Sequence, residues 1–370
     1  MSDLSITCIE QIRERLRRKG ARPAHEQRIL RLWSQAKPQS SGSRPLESFM
    51  PAAVREDLPG LSEDLSGLLR LQSEHHAQDG SVRWLLALRD GQTVETVGLP
   101  RDGVCVSSQI GCAVGCVFCM TGRDGLIKQV GSAEIVAQVA FARQFRPVKK
   151  VVFMGMGEPA HNLDNVMEAI EVLGTVGNVA HKSLVFSTVG DPRVFERLPL
   201  GSVKPALAVS LHTTQFKLRT ELLPRAPQMT PDELVEAAEI YAQQTGYPIQ
   251  YQWTLLEGIN DTQEEIEGIV RLLKGKYALM NMIPYNSVDG LPFKRPRWER
   301  AAEIARTLHQ HGILTKLRNS AGQDVEGGCG QLRARHLLGS KPLDNAAPNM
   351  TSKPKSTMIK VTVSPKKSTP

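Results

Sequence analysis

An α/β fold is predicted for most of this 370-residue chain, with a parallel sheet closed fully or partly into a barrel. Three observations predict it. From Cys105 onward, short β-branched runs alternate with amphipathic helical stretches. The first third reads instead as short helices followed by a hairpin. The last segment, from Leu337, carries six lysines and one aspartate among Ser, Thr, Pro and Asn, with little periodicity, and reads as disordered. The expected division is a helical N-terminal domain over 1–78, a β-hairpin connector over 79–102, a barrel over 103–336 that ends in a cysteine loop, and a Lys-rich tail over 337–370.

The elements follow in order. Residues 4–33 and 46–72 read as short helices, joined by the turn-rich stretch from Lys37 to Pro45. The run Arg83–Leu88 and the run Thr93–Val97 flank Asp90-Gly91, a hairpin signal. Strands are expected at Val104–Ser107, Lys150–Met154, Ser183–Ser187, Ala206–Ser210, Gln250–Leu255 and Leu279–Ile283. Helices are expected near Ser132–Gln144, Leu163–Leu173, Thr230–Gln244, Gln263–Leu273 and Arg297–His311. In such barrels the reactive loops follow the carboxyl ends of strands.

Composition narrows the classes. A hydrophobic content of 41% is ordinary for a globular enzyme. Charged residues interrupt every apolar run before it reaches membrane-spanning length, so no membrane partner is expected. The start, Met1 to Leu16, shows no signal-peptide pattern. Six cysteines, three of them crowded on one loop, fit a reducing cytoplasm better than a disulfide framework. The net charge is +8, and the tail contributes +5 of it. A second basic block comprises Arg13, Arg15, Arg17, Arg18, Lys19, Arg22, Arg28 and Arg31, set against Glu10, Glu14 and Glu26. It suits phosphate binding and a solvated helix face equally well.

The most specific signal is Cys112, Cys116 and Cys119, a C-x3-C-x2-C loop directly after the first barrel strand. Three thiolates can hold three irons of a [4Fe–4S] cluster and leave the fourth open to a small molecule. A structural zinc site would need a fourth ligand, and no nearby histidine completes a finger. An electron-transfer ferredoxin would supply a fourth cluster cysteine, and a loop this crowded disfavours a disulfide.

This loop resembles that of the radical S-adenosylmethionine (SAM) enzymes, in which SAM takes the open iron. Further segments narrow the resemblance: Phe153-Met154-Gly155-Met156-Gly157-Glu158-Pro159, Ser187, Ser210-Leu211-His212, Ile283-Pro284-Tyr285-Asn286, and Gly327-Gly328-Cys329-Gly330-Gln331-Leu332-Arg333. As a set, over roughly residues 80–336, they look like the RlmN/Cfr family of RNA adenine methyltransferases.

That resemblance implies site roles. Cys112, Cys116 and Cys119 would bind the cluster. Gly157, Glu158, Ser187, Ser210, Leu211, His212 and Asn286 match SAM-contact positions. Cys329 would carry the methyl group, Cys105 would be the resolving thiol, and Glu95 matches the family's proton acceptor. Taken singly, Cys105 and Cys329 also read as inert thiols, and Glu95 as a solvated strand residue. Cys8 has no partner motif.

The function implied is methyl transfer from SAM to C2 of an adenine, foremost in 23S rRNA and secondarily in tRNA, through an S-methylcysteine and a transient disulfide. RNA, bound by the N-terminal helical domain over 1–78, and a one-electron reductant such as flavodoxin are the implied partners. Methylation at C8, or of another RNA, keeps the enzyme class. From a different class, an RNA-binding protein whose cluster senses redox state would bind RNA without turning over SAM. A methylthio-transferring enzyme should carry a second cluster's cysteines, and the three that remain are scattered.

Overall fold

The computed structural model describes residues 6–288 and 290–333. The tail expected to be disordered, 337–370, lies outside the described residues. Two short helices open the chain, α1 (Ile9–Arg18) and α2 (Pro23–Ser34), and α3 (Ala52–Ser66) follows a turn-rich loop. Each buries one apolar face, Ile9, Ile12 and Leu16 in α1, and Val54, Leu58, Leu61 and Leu65 in α3. The hydroxyl of Ser132 accepts from the Ile9 N–H at 2.8 Å and ties α1 to the barrel.

The second expected helix is too long. Its apolar spacing runs on past residue 66, but α3 stops there and Leu69–His76 forms β1. β1 pairs antiparallel with β2 (Val82–Leu88), which pairs with β3 (Thr93–Leu99). Pairing with a strong neighbouring strand overrides the helical pattern of Leu65, Leu68 and Leu69. The hairpin is also no separate connector. β3 pairs with β4 (Gly103–Cys105), so the meander continues the main sheet.

From β4 onward the chain alternates as expected. The parallel strands are β7 (Lys150–Phe153), β8 (Leu184–Thr188), β9 (Ala206–Ser210), β10 (Ile249–Leu255), β11 (Ala278–Pro284) and the short β12 (Thr315–Leu317). The helices between them are α4 (Ser132–Phe145), α5 (Leu163–Thr175), α6 (Pro192–Arg197), α7 (Phe216–Leu222), α8 (Pro231–Thr245), α9 (Gln263–Leu273) and α10 (Trp298–Gln310). Local signals set their ends. In α8 the Thr230 hydroxyl accepts from the Glu233 N–H at 3.2 Å, Glu233 accepts from the Thr230 N–H at 2.8 Å, and Gly246 stops the helix at φ +72°. A small ladder of β5 (Gln109–Gly111) and β6 (Leu126–Gln129) brackets the cysteine loop.

The ten main strands form one sheet in the order β1-β2-β3-β4-β7-β8-β9-β10-β11-β12. It is a mixed sheet whose edge strands, β1 and β12, do not pair with each other. Its register sorts the side chains onto two faces. One face carries large apolar groups such as Phe153, Phe186, Tyr251 and Trp253, all buried in the main core. On the other face, Cys105 pairs with Val152, Ser210 with Gln252, and Gln252 with Asn281. Glu95 lies two residues from Val97, which pairs with Cys105, so it joins the same face.

Candidate active site

The cysteine loop leaves β5 through Gly111, at φ +73°, where a Cβ would fall 2.0 Å from the Gly125 carbonyl oxygen. The Cys112 N–H donates to that same oxygen at 2.9 Å. Only glycine permits this approach and this backbone angle together. The loop rests on its own small apolar cluster, with Val114, Phe118, Leu222, Leu256 and Tyr285 beside Cys112.

Burial pushes all three loop thiols up, Cys112 to about 12, and charge on Cys119 raises both Cys112 and Cys116 further. Thiolates in such a pocket need cations to form. Irons would supply them, because a ligating thiol is deprotonated. Among the described residues no three His, Cys, Asp or Glu side chains stand close enough to hold one metal ion. Ligands of three separate cluster corners need not. The donor set therefore fits a three-cysteine [4Fe–4S] site.

The expected SAM-contact positions follow the carboxyl ends of the parallel strands, and the His212 ring lies 5.0 Å from that of Phe118 in this loop. Gly157, at φ +100°, lies so close to Gln109 that a Cβ would meet the Gln109 Cβ at 2.5 Å. The next amide, of Glu158, donates to Gln109 Oε1 at 2.8 Å. The Glu158 carboxylate accepts from the N–H of Ala160 at 3.2 Å and of Val189 at 3.1 Å. Burial nonetheless pushes it up to about 7. Ser187 and Ser210 sit at the carboxyl ends of β8 and β9. His212, at φ +60°, accepts through Nδ1 from the Thr254 N–H at 3.0 Å, and Asn260 Nδ2 donates to its carbonyl at 2.7 Å. Burial, helped by Arg219, pushes the imidazole down to about 3, so it stays neutral. Leu211 is fully buried in the core, and Ser210 before it faces the opposite side of the sheet. Leu211 can thus meet a ligand only through its backbone.

The two lone cysteines converge although they are far apart in sequence. Cys105 ends β4, and Cys329 is on the segment after β12. The Met120 N–H donates to the Gly330 carbonyl at 2.8 Å, which sets Cys329 beside the cysteine loop, and burial pushes both lone thiols up, with charge on Cys329 adding to the rise at Cys105. Both thiols are free in this structure. Asn286 Nδ2 donates to the Cys329 carbonyl at 2.9 Å and to Ser320 Oγ at 2.8 Å, while its Oδ1 has no protein partner.

Residues 319–333 form a strap between β12 and the hairpin. The Gly322 N–H donates to Asp79 Oδ2 at 3.0 Å, and Asp324 Oδ2 accepts from the Gln78 N–H at 2.9 Å. On the cluster side, the Met120 N–H donates to the Gly330 carbonyl at 2.8 Å and Thr121 Oγ1 to the Leu332 carbonyl at 2.7 Å.

Glu95 lies under the strap. It is wholly buried, ion-paired with buried Arg83, and its second oxygen accepts from the Arg333 N–H at 2.9 Å. Both carboxylate oxygens are thus engaged, one by the Arg83 guanidinium and one by the strap's backbone.

Sequence reasoning missed two residues here. Arg83 sits in an apolar strand and has no motif; its pairing appears only once β2 and β3 align. Asn281 is 1% exposed on the polar face of β11, and neither amide atom has a protein partner. An orphaned buried amide is unfavourable by about 1–3 kcal/mol per group unless a ligand or water meets it.

Two outcomes follow from this geometry. Gly111→Ala should leave far-ultraviolet circular dichroism unchanged and lower the iron bound per protein after reconstitution. Arg83→Leu strands a buried carboxylate and should destabilise the fold by about 3–5 kcal/mol in denaturant titrations, with Arg83→Lys recovering part of the loss.

Comparison with known proteins shows the family of the chain. Residues 106–273 match the radical SAM superfamily. A protein of Leptothrix cholodnii named "Probable RNA methyltransferase" is 70% identical over 332 residues, which cover 90% of this chain and 96% of that one. A protein of the same name from Stutzerimonas stutzeri is 65% identical over 337 residues, 90% and 98% of the two chains. The crystal structure of a radical SAM methyltransferase from Sphaerobacter thermophilus superposes with a TM-score of 0.77 at 33% identity, covering 90% of this chain and all of that one. Members of the superfamily use a [4Fe–4S] cluster and SAM. The chain belongs to the radical SAM RNA methyltransferases, the family its RlmN/Cfr motifs pointed to.

Proposed function

We propose that this protein methylates C2 of an adenine in RNA, foremost in 23S rRNA and secondarily in tRNA, with Cys329 as methyl carrier. The observation that carries the proposal is that Cys105 ends β4 on the polar face while the strap holds Cys329 beside the cysteine loop and Asn286, through the Met120–Gly330 and Asn286–Cys329 hydrogen bonds. A purely redox-sensing RNA binder has no use for that pair.

When bound, the cluster supplies one electron to SAM, and SAM supplies both the methyl group and a hydrogen-abstracting radical. The protein's own residues do the rest. Cys112, Cys116 and Cys119 would hold the cluster. Glu158 would take the SAM ammonium, while Ser187, Ser210 and the backbone around His212 fix the remainder. Neutral His212 offers hydrogen bonds without adding charge beside a sulfonium. The open Oδ1 of Asn286 and the orphaned amide of Asn281 are further acceptor and donor groups for ligand.

Cys329 would receive the methyl group first and present it to the base. Glu95, released by the strap, would accept the proton from the modified carbon. Cys105 would then attack the Cys329 sulfur, so that the methylated base leaves as the disulfide forms. Its thiol is pushed up by burial and by charge on Cys329. Attack therefore needs a base or a change of surroundings. The electron partner would be a small one-electron reductant of flavodoxin type.

Purified protein tests the carrier role. Mass spectrometry after incubation with SAM should place a methyl on Cys329 and on no other cysteine. Cys329→Ala should retain the cluster and SAM cleavage and lose methyl transfer to RNA. Cys105→Ala should leave RNA covalently attached to Cys329. Full transfer by Cys329→Ala would reject the mechanism.

A pH dependence follows from Glu158. Its raised pKa leaves it largely neutral below about 7 and charged above, and only the carboxylate pairs with an ammonium. SAM affinity should therefore rise between about pH 6 and pH 8, and Glu158→Gln should flatten that rise. Equal pH profiles for the two proteins would remove Glu158 from SAM binding.

A further inference from the structure

The N-terminal basic block separates into two chemically distinct halves. The α1 arginines are neutralised: Arg13 pairs with Glu10 at 3.7 Å, Arg15 with Asp57 at 2.7 Å and Asp64 at 2.5 Å. Arg17 pairs with Glu10 at 2.6 Å and Glu26 at 3.0 Å, and Arg18 with Glu14 at 3.5 Å. Arg28 and Arg31 on α2, and Lys37 beyond it, have no carboxylate partner among the described residues.

These three cations line one groove of about 680 Å³, between α2, the loop through Ser41 and the carboxyl end of α5 at Thr175. Among the described residues, no acidic side chain lines it. Arg28 is built into its wall. Its Nη2 donates to the carbonyls of Gln39 at 3.0 Å and Ser41 at 2.8 Å, and its guanidinium lies 5.1 Å from the Phe49 ring centre. Its buried Nη1 has no protein partner. Like charges held together without an acid repel each other, so the groove is favourable only with an anion present.

We infer that this groove binds phosphodiesters of the RNA substrate, as a second docking point away from the reaction centre. The inference rests on the RNA reading above. The separation follows from the fold. α5 begins after the turn that follows Glu158, at the mouth of the site, and ends at the groove thirteen residues later. At 1.5 Å per residue that is about 20 Å. A single nucleotide does not bridge such a distance, so the groove selects a polynucleotide that runs along the outside of the barrel. It also assigns roles within the basic block: Arg15 and Arg17 tie α1 to α3 and α2, Arg13 and Arg18 are paired within α1, and the α2 side meets RNA.

The test is filter binding of the cluster-loaded enzyme to 23S rRNA and to tRNA, each purified from cells lacking the gene, over a salt series. Arg31→Gln with Lys37→Gln is the groove variant, which spares the structural bonds of Arg28. Arg13→Gln with Arg18→Gln is the control. The groove variant should bind roughly tenfold more weakly or worse, and its log–log salt slope should fall by about two, since each phosphate contact contributes about 0.9. The control should change less than about twofold. SAM cleavage without RNA should be equal in all three proteins. Unchanged affinity and slope in the groove variant, while the unsubstituted enzyme binds RNA, would overturn the groove and leave the RNA reading standing. Failure of the unsubstituted enzyme to bind either RNA at low salt would overturn both.

Discussion

The buried contact among Arg83, Glu95 and the Arg333 amide is the one on which the site's architecture depends. An ion pair taken fully out of water gains little stability over an apolar packing, and losing one partner is strongly unfavourable. Its place in the fold explains its presence. The open sheet leaves a gap between β12 and the hairpin, and the strap carrying Cys329 crosses it. The pair fixes one end of that strap, and the Met120 and Thr121 contacts fix it to the cluster loop. Thus one short segment connects the expected base, the expected methyl carrier and the iron-binding loop. Moving it would free Glu95 and Cys329 together.

The second constraint is electrostatic. The site gathers five thiols and a carboxylate in surroundings that oppose their ionisation. The protein offers few compensating charges there. Among the described residues, Arg219, itself pushed down to about 10 by burial, lies near Cys116 and Glu158, and Arg318 near Cys329. A cationic cluster and a sulfonium ligand are the kinds of groups that such a pocket favours. The neutral histidine fits the same logic.

Much of this was legible in the sequence because it depends on short spacing. The cysteine loop, the glycine turn before Glu158 and the strand ends at Ser187 and Ser210 are local patterns. The parallel strands from Lys150 to Ile283 were readable from β-branched runs between helices. What the sequence hid depends on register and tertiary pairing. β1 was concealed by a helical spacing that carried over from α3. Arg83 and Asn281 look like ordinary strand residues until their neighbours place them on the polar face. The second Glu95 oxygen is engaged by a backbone amide more than two hundred residues away. The basic block is the clearest case: sequence counts eight cations, and only the fold shows which are already paired.

The central claim is methyl transfer to C2 of an RNA adenine. Nucleoside mass spectrometry of rRNA and tRNA from cells with and without the gene tests it most directly. The account predicts loss of 2-methyladenosine from the 23S rRNA pool, with or without loss from tRNA. Loss of 8-methyladenosine instead, or 2-methyladenosine unchanged in both pools, would contradict it.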